Sequence, residues 1–232
     1  MTELRTAIGL MSGPSMDGID VALLSSDGRA EVHQGAALAV PYDGEMKAAL
    51  RAVLGGRCNT KAVANLAEAL TRAHAEVINL LLKKKSINTG KIKVIGFHGH
   101  TIQHLPHKSY TRQLGDGKLL SKLTKKTVIY NFRQNDMKNG GNGAPLAPIF
   151  HQQMIYQIGF DLPITIFNLG GIANVTHLWR DLFYKEKLVC NANDIGPGNC
   201  LIDSWIKKNS NHKFDIEGNI AKSGKVDKIL LD

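Results

Sequence analysis

Ile8-Gly9-Leu10-Met11-Ser12-Gly13-Pro14-Ser15-Met16-Asp17-Gly18-Ile19-Asp20 is the stretch on which the reading of this chain turns. It joins two short apolar runs, Thr6 to Leu10 and Ile19 to Ser25, through a polar segment rich in turn residues, and so reads as strand, tip, strand. Asp27-Gly28 makes the next turn and Ala30 to Val40 returns as a third strand, which predicts a sheet that begins antiparallel. The tip also carries chemistry. Its glycines permit close backbone approach, its N–H groups and serine hydroxyls can cradle phosphate oxygens, and a neighbouring Asp can hold Mg2+ through water. The spacing is neither GxxxxGK[ST] nor GxGxxG, so a solvated hairpin turn fits the glycines equally.

Outward from the hairpin, Val63, Leu66, Leu70, Ala73, Val77 and Leu81 recur at helical spacing after Asn59 as a cap, with Lys83, Lys84 and Lys85 at the end that favours cations. Lys91 to Phe97 reads as a strand running into glycine-rich sequence, Lys118 to Leu123 as a short helix and Thr127 to Tyr130 as a further strand. Ile164 to Leu169 and Ala173 to Trp179 flank Gly170-Gly171, so the glycine hairpin recurs, and Gly198 to Ser210 and Asn219 to Leu231 read as helices.

The chain has 232 residues, 43% hydrophobic and 21% charged, which excludes disordered and collagen-like classes. It contains no apolar run of about 18 residues and no signal-like start, and its three cysteines show no CxxC spacing. A cytoplasmic protein with buried, unpaired Cys190 and Cys200 is therefore expected. The net charge of +9 is lopsided: residues 1–82 carry 7 basic against 9 acidic side chains, and residues 83–232 carry 22 against 11. The lysines of the basic part are not interleaved with stacking aromatics, which argues against a nucleic-acid partner.

Three further segments hold candidate site residues. Residues 96–116, GFHGHTIQHLPHKSYTRQLGD, place His98, His100, His104 and His107 with Thr101, Gln113 and Asp116 on loops after a strand; zinc ligation, a polar-ligand site or scattered surface histidines all fit that pattern. Residues 131–152 surround Asp136 with Arg133, His151, glycines and prolines, which suits either a rigid loop presenting a general base or a connection leading into a helix. Gly170-Gly171 can face a phosphate, and Asp194, Gly196, Gly198 and Asn199 can line a ligand at the start of the helix that follows.

Taken in order, GLMSGPSMDGID, GFHGHTIQHLP, QLGDG, FRQNDMKNGGNGAPLAPIFHQ, NLGGIANVT and DIGPGNCLID resemble the anhydro-N-acetylmuramic acid kinases. The resemblance implies an α/β, actin/hexokinase-like (ribonuclease H-like) fold of two related lobes. Residues 1–127 would form the first lobe and 128–232 the start of a second, incomplete one. It also implies ATP and Mg2+, a homodimer, and an activity that opens the anhydro ring of 1,6-anhydro-N-acetylmuramic acid and phosphorylates the sugar during cell-wall recycling. Gly13, Pro14, Ser15, Met16, Asp17, Gly18, Ile19 and Asp20 would form the ATP-phosphate loop, joined by Gly170 and Gly171. Asp136 would be the catalytic base, with His98, Thr101, Gln113, Asp116, Arg133 and Asp194 on the sugar side. No resident metal site is implied. Pro14 stands where the family has Thr, removing a hydroxyl and an N–H from the loop, and His100 stands where Gln is usual. Family members run well over a hundred residues further, so a non-catalytic sugar-binding remnant is the second expectation.

Overall fold

The computed structural model describes residues 3–13, 15–29, 31–56, 60–181 and 188–231. Strand β1 (Arg5–Ser12) pairs antiparallel with β2 (Gly18–Ser26), from Arg5 opposite Ser26 to Met11 opposite Asp20, and β3 (Val32–Pro41) pairs antiparallel with β2. Alternation along the strands sorts their faces. Ile8, Leu10, Ile19, Val21 and Leu23 are buried in the main core, while Ala7, Gly9 and Ala22 point the other way into an apolar trough of about 570 Å³ shared with Gly96, Phe132 and Phe150. Gly18 starts β2 because β3 passes so close that a Cβ there would overlap the Val40 carbonyl.

Helix α1 (Gly44–Val53), which the sequence reading did not anticipate, is capped by Asp43, whose carboxylate accepts the Met46 N–H at 2.7 Å. Helix α2 (Thr60–Lys84) is the long helix expected; Asn59, its proposed cap, lies outside the described residues. Val63, Leu66, Leu70, Val77, Ile78 and Leu81 are buried on one stripe, and His74 and Thr71 are buried with them. Ala73, expected on the stripe, lies only at its margin. At about 2 kcal/mol for each fully buried Leu or Ile, this stripe is a large stabilising contribution to the first sheet's core.

Helix α2 then returns the chain to β4 (Ile92–Leu105), parallel to β1, with Ile8 opposite Ile95, Leu10 opposite Phe97 and Ser12 opposite His100. The expected strand ends at Phe97; the observed one continues to Leu105. Gly99, at φ 71°, supplies a bulge, so that three residues of β4 answer two of β1 between Leu10 and Ser12. Beyond the bulge β4 acquires a new partner, β5 (Tyr110–Leu114), antiparallel from His100 opposite Leu114 to Leu105 opposite Tyr110. The histidine segment is thus mostly strand, not loop. Helix α3 (Gly117–Thr124) leads to β6 (Thr127–Tyr130), parallel to β4, and helices α4 (Phe132–Lys138) and α5 (Pro148–Ile158) follow. The strand order is β3-β2-β1-β4-β5, with β6 also on β4.

The chain divides into two compact units, Met1–Leu162 and Pro163–Asp232. The division falls after β6 because Thr127 to Tyr130 hydrogen-bond to β4 within the first sheet. In the second unit β7 (Ile164–Leu169), β8 (Ile172–Arg180) and β9 (Leu188–Pro197) form an antiparallel meander, repeating the β1-β2-β3 pattern. Helix α6 (Cys200–Asn209) follows. The helix expected over Asn219–Leu231 is instead two short ones, α7 (Asn219–Ser223) and α8 (Lys228–Leu231), interrupted at Gly224, a poor helix former in a stretch, 219–229, whose side chains are all exposed. Cys190 is exposed on β9 rather than buried. Among the described residues no helix is long and apolar enough to cross a membrane.

Candidate active site

The hairpin tip between β1 and β2 is a structured turn. The Met16 N–H donates to the Gly13 carbonyl at 3.0 Å, Met16 is left-handed at φ 55°, and the Tyr42 N–H donates to the Asp17 carbonyl at 3.0 Å. Ser15, Asp17 and Asp20 are exposed, Gly13, Met16 and Gly18 half-buried, and Ile19 buried in the core; Pro14 lies outside the described residues. The carboxylates of Asp17 and Asp20 accept no hydrogen bond among the described residues, so two hard oxygen donors stand free beside the tip.

Just before the Gly99 bulge, a side chain of α4 reaches β4. The Arg133 Nε–H donates to His98 Nε2 at 2.8 Å, and a second guanidinium nitrogen donates to the Gly143 carbonyl at 2.7 Å. His98 Nδ1 lies 2.8 Å from the Gly99 carbonyl, which only accepts, so the imidazole is neutral with its proton on Nδ1. Burial, with the Arg133 charge beside it, pushes this imidazole down to about 4.

Asp136 sits one turn after Arg133 on α4. Its Oδ2 accepts the Gly143 N–H at 2.7 Å, while Oδ1 has no partner among the described residues. The glycines that follow are there for this carboxylate: a Cβ at Gly141 would overlap it, and Gly143, at φ 71°, packs against Met137 and leaves no room for one. Both expectations put Asp136 on a loop; it lies instead on helix α4, with the glycine loop that follows folded back over it.

A second polar row runs along β4 and β5. Gln113 Nε2 donates to Thr111 Oγ1 at 2.8 Å and to Thr101 Oγ1 at 3.3 Å, and His104 Nδ1 lies 3.1 Å from Thr111 Oγ1. Gln113 Oε1 is buried without a partner among the described residues, an acceptor available to a ligand hydroxyl. Asp116 has a structural duty: it caps α3, accepting the Lys118 and Leu119 N–H groups at 2.9 and 3.0 Å, and its own N–H donates to Thr71 Oγ1 at 2.9 Å. Among the described residues no group of three His, Cys, Asp or Glu side chains is placed to hold a metal, so the zinc reading of the four histidines finds no ligand set.

In the second unit, Gly170 and Gly171 form the β7–β8 turn, and their carbonyls accept the Asn199 and Gly198 N–H groups, both at 2.9 Å. These amides at the start of α6 are therefore spent on the turn. Asp194 is exposed on β9, opposite Asn174 of β8.

Ser12, Tyr42 and His74 escaped the sequence reading as site residues, and His100 was read only as one of four candidate histidines; Ser12 bonds to both Tyr42 and His100 beneath the tip, and His74 is buried in the same core with its Nδ1 on the Leu70 carbonyl. The available signal was a polar residue on an apolar stripe: His74 falls four residues after Leu70 on the buried face of α2.

A family model described as anhydro-N-acetylmuramic acid kinase matches residues 5–232. Curated relatives named anhydro-N-acetylmuramic acid kinase include one from Pelagibacter ubique, 36% identical over 100% of this chain and 62% of the relative. Another, from Agrobacterium fabrum, is 42% identical over 97% of this chain and 61% of the relative. The chain thus spans about three fifths of the length of the curated relatives it matches. A solved structure of a reductive activator for a corrinoid, iron-sulfur protein overlaps 85% of this chain and 32% of its own, at a TM-score of 0.43 and 13% identity, a likeness too loose to carry an argument. The matched residues include the glycine hairpin, the His98–Arg133 pair and the Asp136 loop, and the chain belongs to the anhydro-N-acetylmuramic acid kinase family.

Proposed function

We propose that this chain carries the substrate-handling part of an ATP-dependent kinase that opens 1,6-anhydro-N-acetylmuramic acid and yields N-acetylmuramic acid 6-phosphate and ADP. The observation that carries the reading is Asp136, a carboxylate held at Oδ2 by the Gly143 N–H and, among the described residues, without a partner at Oδ1, within a chain that matches the family from residue 5 to residue 232. Asp136 Oδ1 takes a proton from water as its oxygen bonds to the anomeric carbon. The anhydro C1–O6 bond breaks, and O6, which receives the electron pair, attacks the γ-phosphorus of ATP in line while the bond to the β-phosphate oxygen breaks. Water thus supplies the new hydroxyl at C1, and no separate acid is needed at O6.

Residues Gly13 to Asp20 would receive the phosphates, joined by Gly170 and Gly171. His98, Thr101, Gln113, Asp116, Arg133 and Asp194 would meet the sugar, with the unpaired Gln113 Oε1 as the acceptor best placed by its burial. Asp17 and Asp20 offer the hard oxygens that suit a nucleotide-borne Mg2+, which when bound neutralises phosphate charge. The reading places the chain in an actin/hexokinase-like fold of two lobes whose second is incomplete here, working in the cytoplasm as a homodimer. The test is ADP release by the 232-residue chain with anhydro sugar and Mg·ATP, alongside calorimetry with each ligand. Turnover supports the kinase reading, and sugar binding without turnover leaves the chain a binding remnant.

A further inference from the structure

We propose that Tyr42 and His100 are positioning residues that clamp the hairpin tip into its phosphate-receiving shape, an inference that rests on the reading of Gly13 to Asp20 as that tip. Tyr42 follows β3 directly and grips the tip at both ends. Its hydroxyl lies 2.6 Å from Ser12 Oγ, just before the tip, and its backbone N–H donates to the Asp17 carbonyl, just before β2. From the other side His100, on β4, places Nδ1 at 2.8 Å from the same Ser12 Oγ. Ser12 and His100 are completely buried, so water does not compete for these bonds.

The protons in this group have one self-consistent order. Among the described residues the Tyr42 hydroxyl has no partner but Ser12 Oγ, so it donates there; Ser12 then donates to His100 Nδ1, and His100 carries its own proton on Nε2. The reverse order would strand the buried phenol proton. His74 Nδ1 faces the Leu70 carbonyl at 2.8 Å and must donate to it, which leaves His74 Nε2 as a bare acceptor. The two imidazoles thus present a donor and an acceptor with no other partner among the described residues, and His100 stands near enough to add to the suppression of His74 protonation. Burial pushes the Tyr42 phenol up to about 12 and His100 down to about 4, so the proton order is the same throughout the neutral range.

The clamp answers a need of the tip. Met16 is left-handed, a conformation an L residue with a long side chain holds only when its surroundings impose it, and among the described residues the turn closes on one Met16-to-Gly13 hydrogen bond. On the same strand as His100, on the far side of the Gly99 bulge, His98 holds Arg133 and through it the Gly143 loop that grips Asp136. One strand therefore positions both the phosphate tip and the base.

The test uses Tyr42→Phe, His100→Phe and His100→Gln in the 232-residue chain. It reads amide hydrogen exchange at Met16 and Tyr42, with Leu81 as the core control, and the affinities for Mg·ATP and for the anhydro sugar. Tyr42→Phe and His100→Phe are expected to speed exchange at Met16 and Tyr42 and to weaken Mg·ATP, each by about five- to tenfold, the factor that loss of one such hydrogen bond carries. Leu81 exchange reports any global loss of stability, and the increase at Met16 and Tyr42 exceeds it; sugar affinity stays as in the unaltered chain. His100→Gln is expected to restore both, because its carboxamide oxygen accepts the Ser12 proton. Unaltered exchange in Tyr42→Phe and His100→Phe overturns the clamp. Faster exchange with unaltered Mg·ATP affinity overturns its role in nucleotide binding. Failure of the unaltered chain to bind Mg·ATP while it still binds sugar overturns the phosphate reading alone, and exchange then decides the clamp.

Discussion

Lowering the pH should unfold the first compact unit through three histidines. His74, His98 and His100 each fall from an ordinary 6.5 to about 4, and burial is the leading cause for all three; the Arg133 charge adds for His98, and neighbouring imidazoles for His74. A depressed folded-state value means that the unfolded chain protonates first. Stability is therefore whole above pH 6.5 and drains as the pH falls toward 4. Each histidine corresponds to about 3 kcal/mol, and three protons taken up on opening give a slope of about 4 kcal/mol per pH unit at mid-range. The full loss, on the order of 10 kcal/mol, is comparable to the roughly 5–15 kcal/mol that a domain possesses. The assay is the free energy of opening at the α2 amides of Leu70 and Leu81, read by hydrogen exchange from pH 7.5 to 4.5 and corrected for intrinsic rates. His74→Leu should remove one third of the slope, because that ring stands wholly buried, edge-on to Phe97 at 5.0 Å between centroids. A flat profile between pH 7 and 5, or an unaltered slope in His74→Leu, would refute the reasoning.

Three substitutions probe the site more locally. Asp136→Asn should lower ADP release by about 10²- to 10⁴-fold, as expected for loss of a general base, with sugar affinity unmoved in calorimetry; unchanged turnover would unseat the assignment. Gly141→Ala drives a methyl group into the Asp136 carboxylate and should cost about 1–3 kcal/mol in urea unfolding, with a parallel fall in turnover. Asp116→Ala should cost about 0.5–2 kcal/mol through loss of the α3 cap, and Asp116→Asn should recover that stability. If Asp116→Asn binds the anhydro sugar as the unaltered chain does, Asp116 serves the helix and not the ligand.

Local pattern was sufficient for much of the architecture. Glycines between short apolar runs marked both hairpins, and apolar residues every third or fourth position marked α2, because turn chemistry and helical periodicity are carried by residues near one another in the chain. The same holds for the motif series that marks the family. Expectation and structure part where a distant partner decides. Lys91 to Phe97 looks complete as a strand until β5 pairs with the residues beyond the Gly99 bulge. Asp116 reads as a ligand carboxylate, and only the folded chain shows that its Oδ1 also caps α3 through the Lys118 and Leu119 N–H groups.

Composition and spacing thus settled the hairpins and the long helix, and the ordered motifs carried the resemblance to the family. Only the folded chain decided what the polar residues do. Ser12 meets Tyr42 across 30 residues and His100 across 88, and Arg133 meets His98 across 35. Hydrogen bonds act over about 3 Å and titration follows burial, and neither property resides in a residue until the sheet closes around it.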